Sequence, residues 1–240
     1  MTPATFSITV IWGILLTSLT DLAGAKVQAR CKPRAKLFVD PISPFAYFYL
    51  KRLHLIDHQI ELEIVPVLFG ALLAHFGQLG PAEIASKRTH TYRQSVWLAR
   101  RFQIPFRMPP RHPFNPLGAL RLLASIGNPR EAIIRTSEFV FHEGRDPELE
   151  FSALCDWLGI ENGAERVQDP EVKRALQQQT QMAMDAGVFG VPTLLINGHC
   201  FWGVDTLEWV LEYLGDPQMF ERDDMKHIDS VAWGIRRKPT

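Results

Sequence analysis

Ser43 is the side chain best placed to do chemistry in this sequence of 240 residues. It stands in Leu37-Phe38-Val39-Asp40-Pro41-Ile42-Ser43-Pro44-Phe45-Ala46-Tyr47, a short buried strand, a tight turn and a helix that opens at Ser43-Pro44. A helix start of this kind presents a hydroxyl and free backbone N–H groups to whatever docks above it. Two readings of Ser43 stand side by side, a reactive-site hydroxyl and a plain helix cap, and one hydroxyl can serve both. The second candidate is Gly187-Val188-Phe189-Gly190-Val191-Pro192-Thr193. A proline at the mouth of a strand cannot donate to a ladder, and after a glycine-rich turn it is a candidate cis peptide. A cis Val191–Pro192 bond would present the Val191 N–H and C=O to an extended peptide; an ordinary trans proline at a strand start is the alternative. The third is Phe201-Trp202-Gly203-Val204-Asp205. Here Asp205 caps the next helix by its spacing to Glu208 and could equally meet a ligand amine, while Trp202 suits core or site.

Positioning these groups requires a sheet at both ends of the chain. Phe45, Phe48, Tyr49, Leu53 and Ile56 recur at helical spacing after the opening turn, and Ile60-Glu61-Leu62-Glu63-Ile64 then alternates as a half-buried strand running to Val67. Strand, helix and strand in that order make a βαβ unit with a parallel pair. Leu68 to Phe76 and Ala82 to Phe102 are helical in pattern, and residues 103–116 hold five prolines, an irregular connection. Further helices are expected to open at Asn115-Pro116, Asn128-Pro129 (a capping box with Glu131), Asp146-Pro147 and Asp169-Pro170, the last closing at Gly187. Thr193 to Ile196, Asn197-Gly198 and His199 to Phe201 form a hairpin with a two-residue turn. A capping box at Asp205 to Glu208 opens a final helix to Leu214, and the charged segment beyond Gly215 is expected to fray, with Trp233 as the one side chain that could dock. The plan is βαβ, a helical block and ββα: an α/β thioredoxin-like fold with a large all-helical insertion.

Composition narrows the function classes. The chain is 46% hydrophobic and 22% charged with a formal net charge of zero and no long basic run, so neither nucleic acid nor an anionic membrane is an expected partner. Cys31, Cys155 and Cys200 are far apart, odd in number and without CxxC or zinc-ligand spacing, which argues against a disulfide framework and a metal site. Cys155 lies in an apolar run as a small hydrophobe. Residues 1–34 read apart from the rest: Ile8 to Leu19 is apolar and Ala23-Gly24-Ala25 resembles a signal-peptidase site, yet no Lys or Arg precedes Lys26. An unusual export signal, a weak anchor and a dispensable extension all remain open for it.

Five stretches in one order carry a family resemblance: Asp40 to Tyr47, Leu72 to Glu83, His112-Pro113-Phe114-Asn115-Pro116, Gly187 to Thr193 and Phe201 to Asp205. Together they resemble the 2-hydroxychromene-2-carboxylate isomerase family, which is grouped with kappa-class glutathione transferases and DsbA-like thioredoxin folds. The resemblance spans about residues 36–214. It implies a DsbA-like domain over 35–214, a helical insertion over about 68–186 and a tail over 215–240. DsbA-like relatives carry CxxC at the first turn; with Ser43 in the place of the reactive cysteine, the thiol must be borrowed, and in the family it is that of glutathione. By the same resemblance Ser43 is catalytic, Val191 and Pro192 are glutathione-binding, with Val191 beside the proline pairing with the cysteinyl backbone, and Trp202, Gly203, Val204 and Asp205 hold the γ-glutamyl end. Gln78, His90 and Asn115 fall where the family binds its aromatic substrate, although the family often has tyrosine where His90 stands and Tyr92 lies two residues on. Further implications are a glutathione-dependent isomerase of an aromatic oxo-acid, or a transferase acting on electrophiles, as a cytoplasmic homodimer. A non-catalytic thioredoxin-like binding protein is the third reading.

Overall fold

The computed structural model describes residues 32–235, so the question of an export signal, anchor or extension, like Cys31, lies outside the described residues. The chain forms a four-stranded sheet in the order β2-β1-β3-β4, with β1 (Arg34–Val39), β2 (Glu61–Pro66), β3 (Thr193–Ile196) and β4 (His199–Trp202). β1 and β2 pair in parallel, joined by α1 (Pro44–Lys51), while β3 runs antiparallel to both β1 and β4. Asn197 (φ 50°) and Gly198 (φ 84°) make the β3–β4 turn, where both central residues take the positive φ that a tight hairpin of right-handed twist requires.

Both faces of the sheet are covered, and the side chains of β1 alternate between them. Leu37 and Val39 join Leu194, Ile196 and Phe201 against α1, α5 (Arg130–Phe141) and α9 (Leu207–Gly215). Phe38 points the other way and packs with Val65, Leu72, Ala183 and Val188 under α2 (Phe69–His75) and α8 (Pro170–Asp185). That explains the unbroken Leu37-Phe38-Val39 run, since a central strand with two buried faces has no solvent side to alternate with. A third cluster, with Tyr47, Phe48, Leu98, Leu122, Phe139 and Phe141, joins α1 to the helices between the strands. These include α3 (Ala85–Phe102), α4 (Leu117–Ala124), α6 (Phe151–Leu158) and the short α7 (Gly163–Arg166). Among the described residues no helix is long and apolar enough to cross a membrane.

Several expected helix starts are corrected. Ser43 and Asp169 do cap their helices, accepting from Ala46 N and Glu171 N. Asn128 instead ends α4: with Gly127 it adopts positive φ, its N–H donates to Leu123 O, and no capping box forms with Glu131. A left-handed pair is what closing a helix demands, and the same residue cannot also take the extended conformation of an N-cap. Asn115 accepts from Leu117 N at 3.0 Å, and Asp146 accepts from Glu148 N and Leu149 N in a turn that precedes α6. The Asp205–Glu208 capping box is also absent, because a 3-10 turn over Val204–Thr206 leads into α9.

The segment past Gly215 does not simply fray. Met219 is fully buried and Phe220 packs on Phe201, Trp209 and Tyr213, while Arg222 pairs with Asp216. Met219→Ala should therefore destabilise the protein by about 2–5 kcal/mol in urea unfolding with an unchanged m-value, the range for emptying a core site. A docked tail and a frayed tail are separated by this measurement, since truncating a frayed methionine would cost close to nothing.

Candidate active site

The site begins where β1 ends. Asp40 is completely buried, and each carboxylate oxygen accepts one backbone N–H: Ile42 N on Oδ1 and Phe69 N on Oδ2, both at 2.9 Å. Burial pushes its pKa up to about 7, against the pull of the two N–H donors toward the charged form. Asp40 O also accepts from Ser43 N at 3.0 Å, so the carboxyl and the carbonyl of one residue fold the turn.

Ser43 follows with an extended backbone (φ −92°, ψ 115°) and is 7% exposed. Its Oγ accepts from Ala46 N at 3.2 Å and donates to Val191 O at 3.4 Å, so the hydroxyl is both a cap and a bridge to the opposite segment. Pro44 at the first helical position has no N–H, which leaves the hydroxyl and the positive end of the α1 dipole as the polar features of this helix start. At 3.4 Å the bond to Val191 O is long for a hydroxyl, a contact that a better acceptor or donor displaces at small cost.

The Val191–Pro192 peptide is cis, as the glycine-rich approach to the strand suggested. Thr193 Oγ1 donates to Gly190 O at 2.7 Å and Gly203 N donates to Pro192 O at 2.9 Å, fixing the loop from both sides. A Cβ on Gly190 would lie 2.5 Å from Trp202 Nε1, so glycine is what lets the half-exposed indole lie flat against this loop, edge-on to Phe189. Gly203 sits at φ 106°, with a hypothetical Cβ 2.5 Å from Asp205 Oδ1; the Asp205 carboxylate curls over it and stays exposed. Val204 is buried, and its carbonyl lies 3.5 Å from the guanidinium of Arg52, which covers the Phe102 ring at 4.0 Å. Ser43, Val191, Pro192, Trp202, Gly203, Val204 and Asp205 thus form one connected rim.

The three residues expected at the substrate are exposed, and no bond joins them to this rim. Gln78 follows α2, Asn115 caps the approach to α4 and accepts Leu117 N, and His90 lies on α3. Two residues on a helix differ by roughly 200°, so His90 and Tyr92 face opposite ways. It is Tyr92 that turns toward the site: its hydroxyl lies 2.8 Å from His112 Nδ1, and His112 Nε2 lies 2.7 Å from Ile42 O. Tyr92 also lines an open cleft of about 480 Å³ with Ala82, Glu83, Ala85, Arg88 and Thr89. A hollow of about 670 Å³ at the other end of the sheet is lined by Arg34, Lys36, Glu61 and Glu63, which are consumed in ion pairs across β1 and β2. His112 and Asp40 were not singled out by their sequence context. A histidine in a proline-rich connection carries no local mark of burial, and neither does an aspartate in a tight turn.

Among the described residues, no group of three or more His, Cys, Asp or Glu side chains could hold a metal ion. Cys155 and Cys200 are free, and burial raises the pKa of both thiols, which makes them poor nucleophiles. The turn at α1 offers a serine and an alanine, Ser43 and Ala46, and no thiol of its own.

Comparison with known proteins places this architecture. A family model described as the DSBA-like thioredoxin domain matches residues 35–215. The chain belongs to that family. A curated relative, glutathione S-transferase kappa 2 of Caenorhabditis elegans, is 24% identical over 208 residues, covering 76% of this chain and 92% of its own. Among solved structures, a 2-hydroxychromene-2-carboxylate isomerase superposes with a TM-score of 0.67 at 18% identity, covering 83% of this chain and 100% of that one. The cytosolic disulfide reductase DsbM of Pseudomonas aeruginosa, solved with glutathione, superposes at 0.50 with 16% identity over 82% of this chain and 97% of its own. These likenesses establish a DsbA-like thioredoxin fold.

Asp40 yields a test of the turn's electrostatics. Its folded-state pKa lies above the ordinary carboxylate value of 3.8, so the folded protein binds the proton more tightly than the unfolded chain. The stabilising contribution of Asp40 is then fully present below about pH 4 and is lost as pH rises through about 7, a span worth about 4 kcal/mol. Asp40→Asn cannot titrate, so the stability difference between wild type and variant should shrink in the wild type's disfavour from about pH 5 to about pH 8 in urea unfolding. A pH-independent difference would mean that the carboxyl titrates alike in both states.

Proposed function

We propose that the chain is a glutathione-dependent enzyme that isomerises an aromatic oxo-acid of the 2-hydroxychromene-2-carboxylate type. The observation that carries the proposal is the serine hydroxyl at the α1 N-terminus, held against the carbonyl that precedes a cis proline. The residues fit glutathione: Ser43 Oγ has one proton, presently spent on a long bond to Val191 O. An amide N–H of the cysteinyl residue at that carbonyl would release the hydroxyl toward sulfur. Val191 then pairs with the cysteinyl backbone, the exposed Asp205 carboxylate receives the γ-glutamyl ammonium, and Trp202 flanks it. Bound there, glutathione would supply the thiolate nucleophile for reversible addition to a conjugated carbon of the substrate.

The task left to the protein is to favour thiolate over thiol. Lowering a thiol pKa from about 8.5 to about 6.5 takes roughly 2.7 kcal/mol. A hydrogen bond to a charged group supplies about 1.5–3 kcal/mol and a helix N-terminus about 0.3–1 kcal/mol, so Ser43 and α1 together reach the required size. Ser43 donates both before attack and on departure of the sulfur and forms no covalent bond, which is stabilisation of developing charge at a fixed donor. The cleft at Arg88 and Tyr92 sets a guanidinium beside an aromatic ring, chemistry suited to the carboxylate and ring of such a substrate. The kappa-class relative favours a second reading on the same residues, a transferase that releases the glutathione conjugate of an electrophile.

Calorimetry with millimolar glutathione tests the proposal on wild type and Ser43→Ala. Wild type should bind, and ultraviolet thiolate absorbance should show the bound thiol titrating below its value in water. In the alanine variant the bound-thiol pKa should rise by about 1–2 units, with turnover down roughly 10- to 100-fold. No binding at millimolar glutathione would end the enzyme reading, and an unchanged pKa in the variant would end the role given to Ser43. Isomerisation assayed against conjugation on the two substrate types then separates isomerase from transferase.

A further inference from the structure

His112 is buried between α3, α5 and the turn that carries Ser43, and its two ring nitrogens make two different contacts. Nε2 lies 2.7 Å from Ile42 O, and a carbonyl can only accept, so Nε2 carries the proton and donates. With the imidazole neutral, Nδ1 is an acceptor, and the Tyr92 hydroxyl, 2.8 Å from Nδ1 and 2.7 Å from His112 O, directs its one proton between these two acceptors of the same residue. The Tyr92 oxygen in turn accepts from Arg88 Nε at 3.0 Å. Phe114 and Phe141 close around the ring edge-on and tilted, with centroids 6.0 and 6.2 Å away. Burial, reinforced by the Arg88 charge, holds the His112 pKa below the ordinary imidazole value against the pull of the Ile42 carbonyl. The ring is therefore neutral near neutral pH, the form that makes this pair of bonds.

The consequence lies in the peptide unit between Ile42 and Ser43. Its N–H is tied to Asp40 O at 3.0 Å and its C=O to His112 Nε2 at 2.7 Å. A peptide is planar, so bonds at both ends fix the rotation of that plane and with it the entry angle of the chain into Ser43. The Asp40 end comes from the turn itself. The His112 end arrives from 70 residues away and adds a fixed outside reference. Loss of that bond would leave a partly buried carbonyl without its partner and let the plane rotate, which moves Cβ and Oγ of Ser43 relative to Val191 O.

We infer that His112, steered by Tyr92, is a positioning residue that holds the Ile42–Ser43 peptide plane and so aims the Ser43 hydroxyl. The inference rests on the proposed thiolate-holding role of Ser43 for its effect on chemistry, but its structural part stands independently of glutathione. The cleft at Arg88 and Tyr92 thereby becomes continuous with the serine through two hydrogen bonds, Tyr92 to His112 and His112 to Ile42.

The test compares wild type with His112→Leu, His112→Gln and Tyr92→Phe. Leucine removes both bonds, glutamine keeps an N–H donor at similar reach for Ile42 O, and Tyr92→Phe leaves the imidazole but frees its steering. Hydrogen exchange of the Ser43 amide should accelerate at least about tenfold in His112→Leu relative to amides of β1, return close to wild type in His112→Gln, and change by a smaller factor in Tyr92→Phe. The bound-thiol pKa should follow the same order, rising by about 1 unit in the leucine variant, with kcat down about tenfold and KM for glutathione within about twofold. Equal exchange at Ser43 in all four proteins would overturn the inference, as would glutamine behaving like leucine, because that pattern signals lost packing instead of a lost donor. If His112→Leu does not fold, the Gln and Phe variants still decide it through exchange and the pKa order. Should wild type fail to bind glutathione, the function proposed for Ser43 falls, while the exchange data decide the role of His112 on their own.

Discussion

The structure depends on one buried carboxyl group at the end of β1. Val39 O accepts Val67 N as the last rung between β1 and β2, and Asp40 then continues the tie with its side chain, taking Phe69 N at the start of α2. Its other oxygen takes Ile42 N and folds the turn into α1. Two helices, α1 and α2, leave the sheet within a few residues of this group, and each is held by a bond to the Asp40 side chain or its carbonyl. An asparagine there would turn an NH2 donor toward one of these N–H groups and leave it without an acceptor, a penalty of about 1–3 kcal/mol. Desolvation of the charge opposes the arrangement, which is why the carboxyl sits so far above its ordinary pKa.

Strand order then assembles the site from segments remote in sequence. Because β1 neighbours β3 with Phe38 opposite Thr193, the residues just before β3 must lie beside the turn just after β1. Because β4 pairs with β3 with Trp202 opposite Thr193, the residues just after β4 arrive at the same end of the sheet. Ser43, Val191 and Gly203 meet for reasons of register, and the polar bonds among them refine a proximity that the backbone ladder has already imposed. The helices between β2 and β3 contribute from the side: α3 brings Tyr92, and the connection after it brings His112.

Much of this was legible in the sequence where the signal is local. The strand–turn–helix at Asp40 to Tyr47, the Asn197-Gly198 hairpin and the proline at the mouth of β3 each rest on a few adjacent residues with restricted φ, and each stands as expected. Helix starts were less legible. Asn128-Pro129 has the composition of a cap, but the chain spends Asn128 on closing α4, and composition does not say which of two helices owns a boundary residue. Met219 and Phe220 lie in a charged segment whose average polarity hid two core side chains. Tyr92 and His112 were beyond reach for a different reason: periodicity places a residue on a face, yet whether that face meets a turn 70 residues away is decided by tertiary packing.

The serine at the first turn marks a division of labour within this fold. A cysteine there can be the reacting atom, and its neighbours need only tune its pKa. A serine hydroxyl has no accessible anionic form near neutral pH, so it cannot react in that way, but it is a donor at every pH where the protein is folded. In the proposed function the demand on geometry therefore increases, because a hydrogen bond to a foreign sulfur loses most of its strength once it bends well away from linear. A site built on serine needs a more rigid turn than one built on cysteine. Bonds from Asp40 O, Asp40 Oδ1 and His112 Nε2 on three consecutive backbone groups, Ser43 N, Ile42 N and Ile42 O, give this turn that rigidity.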